Sequence, residues 1–237
     1  MKIFLTGDKG FIGSNLKIHL ETHHEIVGAD IKSNKDILNC NLPDDVDIVI
    51  HLAGIGGVRE SLADPKKYWD TNVEGTKRIL DFYKDIRVLV AGSSSQYEPH
   101  LNPYAASKHV IENIPHPNVC FMRFHTVYGP TPRKNMFFDK LLNNELEYVT
   151  SHERDFIHVD DMVKAIEFLM FEKFTGPIDI GTGETIKISD IKPDLPIKTN
   201  TIGERKRTCA NTVPLKSLGF ETTISVYDFL RKQGINV

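Results

Sequence analysis

Between the apolar run Lys2-Ile3-Phe4-Leu5 and an amphipathic stretch lies Thr6-Gly7-Asp8-Lys9-Gly10-Phe11-Ile12-Gly13. No other segment restricts the possible folds as much. Glycines at this spacing after a strand permit a tight turn, bring backbone N–H groups close to a pyrophosphate and seat the following helix on the strand. The helix N-terminus then faces the anion. The next apolar run, Glu25 to Ala29, ends at Asp30. A carboxylate there accepts both hydroxyls of a ribose and opposes a 2′-phosphate, which favours NAD, while the neighbouring Lys32 keeps NADP open. A plain glycine-rich turn is the bland alternative.

Short apolar runs separated by amphipathic segments predict parallel strands joined by crossover helices, an α/β chain. Strands are expected near Lys2 to Thr6, Glu25 to Ala29, Val46 to Leu52, Val88 to Ala91, Val119 to Phe124 and Ile178 to Ile180. Helices are expected over Phe11 to Leu20, Pro65 to Tyr83, Tyr104 to Ile114 and Met162 to Phe171, the last capped by Asp160 or Asp161. Too few residues separate Asp30 from Ile37-Leu38 for a second crossover helix, so a loop is expected there. Beyond Gly129, prolines at 130, 132, 193, 196 and 214 break the text into short pieces, which reads as a smaller lobe. The division predicted is a nucleotide-binding core over 1–125, completed by about 154–180, with 126–153 and 181–237 forming the substrate lobe.

With 40% hydrophobic and 26% charged residues the chain can bury a core, and a net charge of -3 without a basic block argues against a nucleic-acid partner. Cys40, Cys120 and Cys209 lack metal or disulfide spacing and read as buried thiols. The ten histidines, His23-His24 included, show no ligand spacing, so no metal is assigned. With neither a leader nor a membrane-length apolar run, the expected setting is cytoplasmic and free of membrane.

Two further constellations carry chemistry. In Tyr104-Ala105-Ala106-Ser107-Lys108 the tyrosine and lysine share one helix face, so the ammonium can stabilise a phenolate. Bringing a tyrosine from a pKa of ~10 toward 7 corresponds to about 4 kcal/mol, within reach of an ammonium and a cationic nicotinamide acting together at low dielectric. An ordinary surface helix is the bland reading, and it would win without the glycine motif. In Val88-Leu89-Val90-Ala91-Gly92-Ser93-Ser94-Ser95 a hydroxyl triplet ends a parallel strand, where such sheets bind ligands and where hydroxyls can polarise a sugar C–O group. Serine runs are otherwise solvated turns.

Together with His51-Leu52-Ala53-Gly54, Thr71-Asn72-Val73-Glu74-Gly75-Thr76, Arg123 to Pro130 and Arg154-Asp155-Phe156-Ile157-His158-Val159-Asp160-Asp161, these motifs make the chain resemble an extended short-chain dehydrogenase/reductase. This is the NAD-dependent epimerase/dehydratase family of nucleotide-sugar enzymes. The resemblance implies a doubly wound parallel Rossmann sheet with a small interleaved C-terminal substrate lobe. It implies that Gly7, Gly10, Phe11, Ile12, Gly13, Asp30, Asp36, Ile37, Leu52, Ala53, Gly54, Tyr104 and Lys108 hold NAD, and that Ser93, Tyr104 and Lys108 are catalytic. Tyr104 would take a proton from a sugar hydroxyl as hydride leaves the same carbon, giving a transient ketosugar. A homodimer would use Tyr68, Trp69, Phe82, Tyr83, Val110 and Ile111, unless these simply pack on the sheet.

Related dehydratases and decarboxylases carry an acid just after the serine or threonine, whereas this chain has Ser94 and Ser95, which argues for epimerisation. The pattern is most similar to the UDP-glucuronate 4-epimerase group, through Ala91 to Tyr97, Gly57-Val58-Arg59-Glu60-Ser61, and Thr126 to Gly129 followed by Arg133 and Met136. Substrate contacts are therefore expected from Ser94, Ser95, Thr126 and Arg133, unless Thr126 merely satisfies backbone groups and Arg133 is a solvated charge of the lobe. Thr201 precedes Gly203-Glu204 where the family often has an arginine, so either Arg205 or Arg207 reaches the diphosphate in its place or nucleotide binding is weak. Glu98 stands where glycine is common. The expected partner is a UDP-sugar. An NAD(P)H-dependent ketosugar reductase and a non-catalytic dinucleotide sensor are the competing functions.

Overall fold

The computed structural model describes residues 1–235. In chain order its elements are β1 (Lys2–Thr6), α1 (Phe11–Leu20), β2 (Glu25–Ala29), β3 (Ile48–His51), α2 (Val58–Ala63), α3 (Pro65–Trp69) and α4 (Gly75–Phe82). There follow β4 (Arg87–Ser93), α5 (Pro103–Glu112), β5 (Val119–Phe124), β6 (Thr126–Tyr128), α6 (Phe137–Leu142), β7 (Glu153–Arg154), β8 (Phe156–His158), α7 (Val159–Phe171), β9 (Gly176–Ile180) and β10 (Ile186–Lys187). The helices α8 (Ile188–Ile191), α9 (Val213–Leu218) and α10 (Val226–Lys232) close the chain.

Alternation along each strand sends side chains to opposite faces of a six-stranded sheet of order β2-β1-β3-β4-β5-β9, parallel throughout. Ile3, Leu5, Ile48, Ile50, Leu89 and Met122 meet Leu16 and Leu20 of α1 and Met162, Ile166 and Leu169 of α7. Phe4, Val49, Val88, Val90 and Phe121 meet Val73, Ile79, Leu80, Tyr83 and Ile111 on the other side. At about 1.5–3 kcal/mol for each fully buried large side chain, these two layers dominate the stability of the sheet. A third cluster, Tyr128, Phe138, Phe156, Ile191, Val226 and Phe229, lies among the short elements after β5. The order turns back between β1 and β3, and the loops after those strands open into the crevice where such sheets take their ligands.

The chain from Asp30 to β3 holds only a short 3-10 turn, Ile31–Ser33, in place of a crossover helix. The long helix expected over Pro65 to Tyr83 is interrupted by a widened π-helical turn at Asp70–Glu74, which directs Asn72 inward. The cap expected from Asp160 or Asp161 on α7 comes instead from His158, whose Nδ1 accepts the Asp160 amide at 3.2 Å. Asp161 is drawn away because its carboxylate accepts the amides of Thr223 and Ile224, each at 2.8 Å. Of the three cysteines only Cys120 is buried, whereas Cys40 and Cys209 are half-buried because they stand in loops rather than in the sheet. Tyr68, Tyr83 and Ile111 pack inward, while Trp69 and Phe82 are exposed. Among the described residues no helix is long and apolar enough to cross a membrane.

Candidate functional site

The crevice begins at the glycine loop. Gly7 has φ +72°, and a Cβ there would lie 2.7 Å from the Ala53 nitrogen. One on Gly13 would lie 2.0 Å from the Gly7 carbonyl oxygen. No other residue type fits either position. Gly10 starts α1 without a side-chain cap, so Phe11 and Ile12 open a helix whose first amides face the crevice uncapped by side chains. Asp30 is buried beside them, with Oδ1 accepting the Lys32 amide at 2.8 Å and Oδ2 the Lys9 amide at 3.2 Å. Lys32 Nζ reaches the Lys9 carbonyl at 2.9 Å. Asp36 accepts the Leu38 amide, and Ile37 packs against Gly75 while Arg78 holds the carbonyls of Ile37 and Cys40. Leu52 and Ala53 donate their amides to the Thr6 carbonyl and hydroxyl, each at 3.1 Å, so the loops after β1 and β3 are tied together. A close-approach turn, an uncapped helix start and a carboxylate beside it fit a dinucleotide with free ribose hydroxyls.

Farther along the crevice, α5 starts at Pro103 with Asn102 as its cap, accepting the Ala105 amide at 2.8 Å. This places Tyr104 and Lys108 one turn apart. Lys108 is buried, donates from Nζ to the Ala91 carbonyl at 2.7 Å and stands over Gly54. Burial lowers its pKa to about 8, with the Glu112 carboxylate pulling the other way. Burial raises the pKa of Tyr104, opposed first by the hydrogen-bonding Ser93 hydroxyl and then by the charge of Arg133. Ser93 ends β4, and its Oγ accepts the Ser95 amide at 3.1 Å. Tyr68 meets Tyr104 edge-on, centroids 6.2 Å apart, and donates to the Gly56 carbonyl at 3.0 Å.

The expected substrate contacts are distributed unevenly. Ser94 is buried and Ser95 half-buried on the turn after β4. Arg133 reaches back across the crevice, Nη2 donating to the Gly56 carbonyl at 2.6 Å. Thr126 lies half-buried on β6, and among the described residues its side chain makes no hydrogen bond to Arg133. Arg205 is engaged by Glu98 and by the Ser94 carbonyl, and Arg207 by Glu153.

Residues without an assigned part in the sequence reading complete the site. Asn72 accepts the Ile55 amide at 2.9 Å and donates to the Ile55 carbonyl at 3.0 Å and to Ser107 Oγ at 2.9 Å. His51 bridges Thr6 at 2.7 Å and Thr76 at 3.1 Å, and burial drives its pKa down to about 3, helped by the Lys108 charge. Arg154 is half-buried, donating to the carbonyls of Glu153 and Lys206 and paired with His152, and no carboxylate lies within salt-bridge reach of it among the described residues. A polar residue at the end of an apolar strand marks out His51 but not its partners, and Asn72, between Thr71 and Glu74, stands in no apolar run that would single it out.

Residues 3–181 match the model of the NAD dependent epimerase/dehydratase family. Protein CapI of Staphylococcus aureus is 28% identical over 72% of this chain and 69% of its own. A protein of Rhizobium meliloti named as a probable UDP-glucuronate 4-epimerase is 29% identical over 70% of this chain and 67% of its own. The crystal structure of UDP-glucuronic acid 4-epimerase from Bacillus cereus, in complex with UDP-glucuronic acid and NAD, superposes with a TM-score of 0.84 at 27% identity and covers 98% of each chain.

Proposed function

Since the chain belongs to the NAD dependent epimerase/dehydratase family and is an NAD-dependent enzyme, we propose that it is a UDP-sugar 4-epimerase whose sugar is a uronate and whose reaction passes through a 4-ketosugar. The observation that carries this reading is the meeting of Tyr104, Ser93 and Lys108 beside Gly54, with serines rather than an acid at positions 94 and 95. An acid would be needed to take a second proton from the neighbouring carbon, and its absence leaves chemistry at a single carbon.

Gly7, Gly10, Phe11, Ile12 and Gly13 would hold the pyrophosphate of NAD, Asp30 a ribose, Asp36 and Ile37 the adenine side, and Leu52, Ala53, Gly54, Tyr104 and Lys108 the remainder. When bound, NAD supplies reversible hydride acceptance from the sugar carbon. Tyr104 takes the hydroxyl proton and later returns it, Lys108 stabilises the phenolate, and Ser93 orients the oxygen. The segments 126–153 and 181–237 would form the sugar-nucleotide lobe, with Arg154, which has no carboxylate partner among the described residues, turning its guanidinium to the diphosphate. Arg133 presents a planar fork to a uronate carboxylate, with the hydroxyls of Ser94, Ser95 and Thr126 around it. Trp69 and Phe82, 44% and 51% exposed, would be covered in a homodimer.

Separate incubation with UDP-glucuronate, UDP-glucose and UDP-N-acetylglucosamine, followed by NMR of the 4-epimers, tests the reading. UDP-glucuronate is expected to be converted fastest. Arg133→Ala is expected to lower kcat/KM for it by about 10-fold or more, as for loss of a charged hydrogen bond. Preference for a neutral sugar, or indifference to Arg133→Ala, would remove the uronate. Consumption of NADH or NADPH would replace the epimerase by a reductase.

A further inference from the structure

The turn that carries Ser94 and Ser95 is gripped from a segment more than a hundred residues away in sequence. Arg205 Nε donates to Glu98 Oε1 at 2.8 Å, its Nη1 donates to the Ser94 carbonyl at 2.6 Å, and its guanidinium lies over the Tyr97 ring, 5.5 Å from the centroid. Tyr97 is itself fixed, its hydroxyl donating to Asp179 at 2.7 Å and accepting from Arg123 at 2.8 Å. Arg123 also lies over that ring, at 4.8 Å, and is held through two nitrogens by Glu112 of α5. An unbroken run of charge-assisted contacts therefore links Arg205, the turn after Ser93, and the helix that carries Tyr104 and Lys108.

We propose that Arg205, clamped by Glu98, is a positioning residue that sets Ser93 by holding the adjoining peptide, and that it is not a ligand of the diphosphate. Its charge is already met by a carboxylate and its fork is committed to Glu98 and a carbonyl. A diphosphate would have to compete with both. The Ser94 carbonyl belongs to the peptide one residue beyond Ser93, and Ser93 Oγ holds the amide of Ser95. Releasing that carbonyl lets the whole turn rotate and moves the hydroxyl. Glu98 supplies the carboxylate that makes the clamp possible. The proposal rests on the reading of Ser93 as the group that orients the sugar oxygen.

The test uses the full chain with NAD and the variants Arg205→Ala and Glu98→Gln. Three experiments are run: steady-state kinetics giving kcat and KM for the UDP-sugar turned over by the parent, calorimetry giving the affinity for UDP, and hydrogen–deuterium exchange of the amides of 94–98. Both variants are expected to exchange faster over 94–98 and to bind UDP as the parent does. For Arg205→Ala, kcat is expected to fall by about ten-fold or more, the scale on which small misplacements act. Arg205→Lys is expected not to restore it, because an ammonium lacks the fork. Weakened UDP binding with kcat intact at saturation would make Arg205 a diphosphate ligand and overturn the proposal, as would unchanged exchange over 94–98 in both variants. Exchange and UDP binding need no turnover, so a parent that epimerises none of the three sugars would defeat the functional reading separately. If Arg205→Ala does not fold, Glu98→Gln gives the same three readings.

Discussion

Lys108 is a cation held where water is scarce, and the cost of that is measurable. Its pKa, lowered by burial to about 8, corresponds to about 3 kcal/mol of folding free energy while both states are protonated. The sign follows from proton counting. Below about pH 8 the cost is fully present; between about 8 and 10.5 the native state releases its proton before the unfolded chain does, so stability rises. Lys108→Met is therefore expected to abolish turnover yet to raise stability at pH 7 by about 2 kcal/mol, after about 1 kcal/mol is subtracted for the lost bond to Ala91. Urea unfolding of both proteins from pH 7 to 10 checks it, and the gap should narrow with pH. A variant no more stable than the parent at pH 7 would show that burial does not disfavour the ammonium. Tyr104, Lys108 and Ser93 were legible in the sequence because one helical turn and one strand end bring them near by local geometry. Asn72 and His51 were not, because their partners at 55 and 107, and at 6 and 76, are defined only by the finished sheet.

Between α3 and α4 the widened turn Asp70–Glu74 gives Asn72 a position that a regular helix would not. The side chain satisfies both backbone groups of Ile55, one residue beyond Gly54, and so fixes the wall next to Lys108. Asn72→Ala is expected to cost about 3 kcal/mol, since it leaves buried polar groups without partners, and to lower kcat more than it changes affinity for NAD. Thermal unfolding and steady-state kinetics check both, and a variant as active as the parent would show that the loop keeps its shape unaided. Strands β1, β2 and β5 and helix α1 have the bounds their apolar periodicity predicts. Periodicity is blind to an inserted residue within a helix, which is why the π-helical turn escaped it. The α7 cap escaped because Asp161 has a stronger claim elsewhere.

Across the whole molecule, two carboxylates of the Arg154 to Asp161 motif act as fasteners between the sheet and the C-terminal segments. Asp155, fully buried, accepts from the amides of Thr182, Gly183 and Ala210 and from the Thr182 hydroxyl, all at 2.8–2.9 Å. Asp155→Asn turns an amide donor toward two of those groups and is expected to cost about 2–4 kcal/mol. Chemical denaturation reads it, and a change below about 0.5 kcal/mol would assign the fastening to the apolar contacts instead. The sequence announces the sheet strongly and this region weakly, because strands of two or three residues such as β7, β8 and β10 are too short to show a period. The missing crossover helix between β2 and β3 has one more consequence. β2 forms an outer edge of the sheet, with only β1 beside it, and a bare edge can template the strand of another chain. In this protein the loop that replaces the helix sets Lys35 on the Gly28 carbonyl at 3.1 Å. A solvated ammonium on that edge would have to be stripped of water before a foreign strand could pair with the Gly28 carbonyl.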